Sequence, residues 1–258
     1  MIQNLNARHA TVSMATGGIA TLTLTNAKSM NILGSAAILE MTAAIAALRA
    51  RGDVRVLILR GSGDKAFIGG ADIVEMSTLT PPTAEAFITR LKDLCEAVRS
   101  FPAPTVARLS GWALGGGLEV ALACDLRIAS REARFGMPEV AVGMPSVIHA
   151  ALLPRLIGGS RAAFMLLTGE PIDAATALSW GLVHELHAQD ALDARIDALA
   201  QKLASYGPAV LRQQKALMRS WESLTPDAAI EATVAEFGRA FATGEPQRYT
   251  EAFKNRKR

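Results

Sequence analysis

Two carboxylates stand where carboxylates are costly. Glu119 interrupts the apolar run Leu118 to Cys124, and Glu139 follows Phe135-Gly136-Met137-Pro138, with the apolar Val140 to Pro145 behind it. A carboxylate in such surroundings is paired, protonated or functional. Burial raises its pKa, and a second carboxylate nearby raises one of the two further. A pair that shares one proton at neutral pH offers an acid and a base together. Taken singly, either glutamate also reads as a satisfied structural residue; beside two glycine turns, function is the better reading.

Those turns are Ile68-Gly69-Gly70-Ala71-Asp72 and Ala113-Leu114-Gly115-Gly116-Gly117-Leu118-Glu119. Glycine lets main chain approach a ligand closely. The second turn opens a helix, whose first N–H groups are unpaired and carry partial positive charge. Two such turns could aim two N–H groups at one carbonyl oxygen, which is the anatomy of an oxyanion hole. The alternative is that each glycine set only makes a tight turn. Other glycine signatures fail: Gly61-Ser62-Gly63 is followed by Asp64, Lys65 and Ala66, so GxGxxG is absent, and no GxxxxGK[ST] or GxSxG occurs. A serine hydrolase thereby loses its main support.

The elements that must hold these groups follow from patterning. Ile19 to Thr25 alternates by two, as a half-buried strand does. Ser35 to Arg49 reads as a helix stopped by Gly52, and Val54 to Leu59 as a strand. Ala66 to Ile73 is a short strand running into a glycine turn. Pro81-Pro82 opens a second helix that ends before Phe101-Pro102. Thr105 to Leu109 is a strand, Gly115 to Cys124 a buried helix, and Leu126 to Ala129 and Arg134-Phe135 are short extended pieces. From Pro145 the pattern is helical nearly to the end. Strands come in twos between helices, which argues for a repeated strand–strand–helix unit over regular Rossmann winding. Residues 1–190 form an α/β core and 191–258 a helical C-terminal region.

Composition bounds the rest. The chain has 258 residues, half of them hydrophobic, enough for a sizeable core. A net charge of +3 suits a polyanionic ligand without requiring one. The only basic cluster is the tail, Lys254, Arg256, Lys257 and Arg258, which reads either as a solvated end or as a phosphate contact. Cys95 and Cys124 lie in apolar helical surroundings and are expected as buried free thiols. No zinc spacing exists. The N-terminus lacks a secretory pattern, and the longest apolar stretch, Trp112 to Ala123, is too short to span a bilayer, so a cytoplasmic, reduced setting is the default.

The run GWALGGGLEVALACDLRIAS, followed by ARFGMPEVAVGMP, resembles the signature of the crotonase (enoyl-CoA hydratase/isomerase) family. AFIGGADI is similar to its earlier oxyanion segment, Asn31 in KSMN occupies its (A/S)xN turn, and LTGEPIDAATALSWGLV matches a downstream block. The likeness covers nearly the whole chain, with several motifs in order.

This resemblance implies a spiral of strand–strand–helix turns and a helical C-terminal part that trimerises, with trimers pairing into hexamers. It implies oxyanion N–H donors at Ala71 and Gly116, and an acid–base pair of Glu119, which helps activate water, and Glu139, which manages the proton at C2. It puts coenzyme A contacts at Lys28, Met30 and Asn31, at Gly69, Ala71, Asp72 and Ile73, and at Phe253 and Arg256. Arg256 replaces the usual lysine. The implied reaction adds water to a 2-enoyl-CoA thioester, using no metal or organic cofactor, with coenzyme A entering only as part of the substrate. Isomerisation of a 3-enoyl-CoA is the nearest alternative. RNA binding and a catalytically silent homologue are others, and the lack of a dense lysine helix and of stacking aromatics speaks against nucleic acid. One departure stands out. Many hydratases carry PGAGG after the second glutamate, and this chain carries Pro145-Ser146-Val147-Ile148-His149. The bulk there reshapes the expected acyl pocket, and His149 reads as a core or surface residue before a catalytic one. His9, His184 and His187 have no motif around them.

Overall fold

The computed structural model describes residues 7–256, the last by its backbone alone. Lys257 and Arg258 of the basic tail lie outside the described residues. The chain opens with a hairpin, β1 (Ala10–Ala15) and β2 (Ile19–Leu24). Its Gly17 and Gly18 have φ of 81° and 77°, the left-handed region that glycine occupies without a steric penalty. β1 was not expected: it alternates poorly, and its second half is exposed at the sheet edge.

Helix α1 (Ser35–Arg51) ends on Gly52 in the left-handed conformation, as its stop signal implies. Then β3 (Val56–Gly61) and β4 (Ala66–Ile68) are followed by α2 (Ile73–Met76) and α3 (Pro81–Arg99). The second pair, β5 (Thr105–Leu109) and β6 (Trp112–Leu114), leads into α4 (Gly116–Ala123). The third pair is β7 (Leu126–Ser130) and β8 (Arg134–Gly136), followed by two 3-10 turns, Pro138–Val142 and Ile148–Leu152. The remainder comprises α5 (Leu153–Ile157), α6 (Gly159–Thr168), β9 (Ile172–Asp173), α7 (Ala174–Ser179), β10 (Glu185–His187), α8 (Gln189–Ser205), α9 (Pro208–Trp221), α10 (Pro226–Phe241) and α11 (Glu245–Arg256).

The paired strands divide between two sheets. The first of each pair enters a six-stranded sheet ordered β1-β2-β3-β5-β7-β10, the second a four-stranded sheet ordered β4-β6-β8-β9. All neighbours from β2 to β10 in the large sheet are parallel. The repeated strand–strand–helix unit read from the pattern is present, and each unit makes one turn of a spiral, as the family resemblance implies. The main core fills the space between the sheets and α1, α3 and α4. The other face of the large sheet is covered by Leu192, Ile196 and Ala200 of α8 against Ile19, Val56, Ile58, Val106 and Ile128. The expectation of a helical pattern from Pro145 nearly to the end is corrected by β9 and β10, whose two and three residues are too short to show an alternation. Cys95 and Cys124 are buried free thiols, as expected. Among the described residues no helix is long and apolar enough to cross a membrane.

α9 is fastened to the core by an ion pair between a buried lysine and a partly buried aspartate. Lys215 Nζ lies 2.6 Å from Asp125 Oδ2 and donates also to the Ala103 carbonyl. The same Asp125 oxygen accepts from the Thr105 N–H and hydroxyl.

Candidate active site

The two glycine turns meet backbone to backbone. A Cβ built on Gly117 would lie 2.2 Å from the Ile68 carbonyl oxygen, and one on Gly70 3.3 Å from the Leu114 oxygen. Only glycine at 117 permits that approach. The first turn is held on its other side by the loop after β2. Gly69 N–H donates to Met30 O at 2.8 Å, Leu33 N–H to Gly70 O at 2.9 Å, and Asp72 N–H to Leu33 O at 3.0 Å. Asn31 anchors that loop. Its φ is 53°, and its buried amide donates to the carbonyls of Ala66 at 2.7 Å and Ser62 at 3.1 Å.

Among the described residues, neither the Ala71 N–H nor the Gly116 N–H donates to a protein acceptor. Gly116 is the first residue of α4, where an unpaired N–H is inherent to the helix. Gly115 precedes it with φ 49°, and its own N–H is taken by Gly136 O.

Glu119 sits one turn into α4, a helix whose eight residues are all buried. Its Oε1 accepts the Ala150 N–H at 2.9 Å. Burial pushes this carboxyl up to about 8, the nearby Glu139 adding to the rise while the Ala150 and His149 backbone opposes it. At neutral pH Glu119 thus carries a proton. Glu139 is half-buried on the 3-10 turn after β8. Its Oε1 would lie 2.6 Å from a Cβ on Gly115, and its Oε2 accepts the Ser146 hydroxyl at 2.8 Å. Glu139 therefore lies against the turn that ends at Gly116, and its charge reaches Glu119 on the helix that this turn opens.

The segment departing from PGAGG touches both carboxyls. Ser146 holds Glu139 at one end, and Ala150 holds Glu119 at the other. Between them Ile148 adopts φ 41°, an unusual conformation for a β-branched residue. His149 is buried, with both ring nitrogens lacking a hydrogen-bond partner among the described residues and Nε2 3.8 Å from Glu96. Burial, with Arg99 nearby, lowers its pKa and keeps it neutral at pH 7. It is a core residue. His184 accepts the Arg127 N–H, and His187 pairs with Glu185.

The remaining expected contact residues separate into two places. Lys28, Met30, Asn31, Gly69, Ala71, Asp72 and Ile73 lie together on the two interlocked loops. Lys28 Nζ and Asp72 Oδ2 pair at 2.7 Å across them, which lowers the Asp72 pKa. Asn31 turns its side chain inward, and its main-chain N–H donates to Lys28 O. Ile73 is 57% exposed. Phe253 stands 60% exposed on α11. The start of that helix is fixed elsewhere. Glu245 caps the first N–H groups of α9, Tyr249 donates to Ser205 O, and Tyr206 O receives Arg55, which precedes β3. That is the opposite end of β3 from Gly61 and the Asn31 loop. The Arg256 side chain lies outside the described ones.

Sequence reasoning gave no role to Ser146 or the Ala150 N–H, and took Gly115 only as part of the glycine turn. The glycine run was visible, but the fit of Glu139 over Gly115 joins residues twenty-four apart and leaves no local signal.

Comparison with known proteins identifies the family. The family model described as enoyl-CoA hydratase/isomerase matches residues 14–258. The crotonyl-CoA hydratase of Syntrophomonas wolfei is 34% identical over 236 residues, covering 91% of each protein. The short-chain-enoyl-CoA hydratase of Clostridium acetobutylicum is 32% identical over 250 residues, covering 93% of this chain and 96% of that protein. The crystal structure of enoyl-CoA hydratase from Bacillus anthracis matches with a TM-score of 0.92 at 29% identity over 96% of each chain. Pseudomonas aeruginosa DspI matches with the same TM-score at 30% identity, over 97% of this chain and 95% of that one. With the family model spanning nearly the whole sequence and the spiral fold shared at this level, the chain belongs to the enoyl-CoA hydratase/isomerase family.

Proposed function

We propose that the protein hydrates a 2-enoyl-CoA thioester to the 3-hydroxyacyl-CoA. The observation that carries this reading is the pairing of Glu139, which lies over Gly115, with the buried Glu119 one turn into the helix that follows, beside two unpaired N–H groups. The thioester oxygen docks between the N–H groups of Ala71 and Gly116. As water adds at C3, negative charge develops on that oxygen, and the preformed dipoles stabilise it. The two carboxyls hold the water and share one proton between them. Glu119 in its ionised form accepts hydrogen from the attacking water, and Glu139 passes a proton to C2. No step calls for a metal or organic cofactor. Relatives named as crotonyl-CoA and short-chain-enoyl-CoA hydratases support the same choice.

The test is incubation with crotonyl-CoA and a 3-enoyl-CoA, with products resolved chromatographically. Hydration should dominate, and Glu119→Gln and Glu139→Gln should each lower it at least ~10²-fold. Exclusive conversion of the 3-enoyl-CoA would favour the isomerase reading instead. The raised pKa of Glu119 favours that side, since isomerisation needs only one ionised base.

Coenzyme A is placed along the Lys28–Asn31 and Gly69–Ile73 loops. Phe253 and Arg256 come from a neighbouring protomer, because α11 begins at the far end of β3. A homotrimer, alone or paired, supplies that neighbour. Ile230, Val234, Phe237 and Phe241 of α10 form an apolar stripe with three members at least two-thirds exposed, which fits burial between copies. The setting is cytoplasmic.

A further inference from the structure

We propose that Ser146 is the positioning residue for Glu139, a role that rests on the hydratase reading and adds a residue to it. The two oxygens of Glu139 have separate surroundings. Oε1 lies over Gly115, at the mouth of the turn that ends on Gly116. Oε2 receives the Ser146 hydroxyl at 2.8 Å. A carboxylate on a half-exposed turn has several rotamers open to it, and a hydroxyl bonded to the outer oxygen selects the one that presents the inner oxygen to the site. The glycine-rich segment found in many hydratases has no hydroxyl at this point, so the contact belongs to this chain's departure from that pattern.

The backbone around Ser146 is set for this purpose. Met144 N–H donates to the Glu139 carbonyl, and Gly143 takes φ 75° to close the turn. Downstream, Ile148 in the left-handed region and Ala150 bonded to Glu119 fix the other end of the segment. The serine is therefore delivered by a strand of chain tied at both ends to the acid–base pair. Its hydroxyl is bonded to Glu139, and it acts through that carboxylate.

The test separates Ser146 from the overall reaction by measuring two activities. One is hydration of crotonyl-CoA. The other is exchange of the C2 protons of butyryl-CoA in deuterated water, followed by proton NMR. In exchange, the C2–H bond breaks, its proton passes to the Glu139 carboxylate, and its electron pair moves toward the thioester oxygen. A deuteron then returns along the same path. Ser146→Ala should lower kcat for hydration and the exchange rate by about tenfold each, with KM within about twofold of wild type. Ser146→Thr, which keeps the hydroxyl, should recover most of both. Equal rates in wild type and Ser146→Ala overturn the proposal, as does a loss that threonine does not rescue. If wild type exchanges C2 protons without hydrating crotonyl-CoA, hydration fails as the function, and the exchange series still decides Ser146.

Discussion

The Ala150 N–H donates to Glu119 Oε1 at 2.9 Å, across thirty-one residues of sequence. It is the hydrogen bond that holds this buried carboxyl to the segment after Glu139, and it serves the acid and the anion alike. Replacing the acid by its amide therefore leaves the contact intact and isolates the proton.

That permits a stability test with a defined sign. Glu119 titrates near 4.5 in an unfolded chain and near 8 in the fold, so the folded protein binds this proton more tightly. The resulting stabilisation is fully present below pH 4.5 and is lost as pH rises through 8. Glu119→Gln should match wild type near pH 4.5 and exceed it at pH 9 by up to ~4 kcal/mol. Thermal unfolding should show a gain that grows as pH rises above 4.5 and levels off above 8. A difference independent of pH would place the proton on another group.

Activity should follow the same proton. If ionised Glu119 activates water, kcat/KM for hydration climbs with pH and levels off near 8. A profile already flat at pH 6 would assign water activation to Glu139.

Gly115→Ala tests the fit between turn and carboxylate. The new Cβ would lie 2.6 Å from Glu139 Oε1 at a residue with φ 49°. The strain costs about 1–2 kcal/mol of stability. Displacement of the carboxylate should cost at least ~10-fold in kcat, beyond what the stability loss explains. Unchanged kcat in a folded variant would show that Glu139 does not need this position.

Much of this arrangement was legible beforehand. Glu119 and Glu139 stood out because each is a charge in apolar company, and Gly115 to Gly117 because three glycines open a helix. The alternation in Ile19 to Thr25 and the stop at Gly52 located β2 and α1 within two residues. What escaped notice has a common cause. β1, β9 and β10 are edge or very short strands whose partners, not their own pattern, make them strands. Ser146 and Ala150 matter through atoms brought from other parts of the chain, and one of those is a main-chain N–H, which no residue type announces.

The Asp125–Lys215 pair predicts a coupling between the C-terminal helices and the sheet. Asp125→Ala leaves Lys215 buried without its counter-charge and removes the acceptor of Thr105. Unfolding in urea should reveal a loss of about 3 kcal/mol. Lys215→Met with Asp125→Leu should recover much of it. A single-variant loss below ~1 kcal/mol would mean that α9 is held chiefly by its apolar contacts.

The apolar stripe on α10 predicts the assembly. Sedimentation should report a trimer or a multiple of it, and Phe237→Asp should shift the protein toward monomer. A monomeric wild type would remove the proposed neighbour from the coenzyme A site.

Helix α4 has no face toward solvent. Its carboxylate is therefore carried by a segment in which no position is free to vary harmlessly, whereas Glu139 rides on a turn with exposed neighbours, Val140 and Val142. In a saturation scan, the first glutamate would sit in an unbroken block of intolerant positions. The second would appear as a narrow spike among permissive ones. Change can reach the reaction cheaply from the Glu139 side only, and that is the side on which this chain already carries Ser146, Val147, Ile148 and His149.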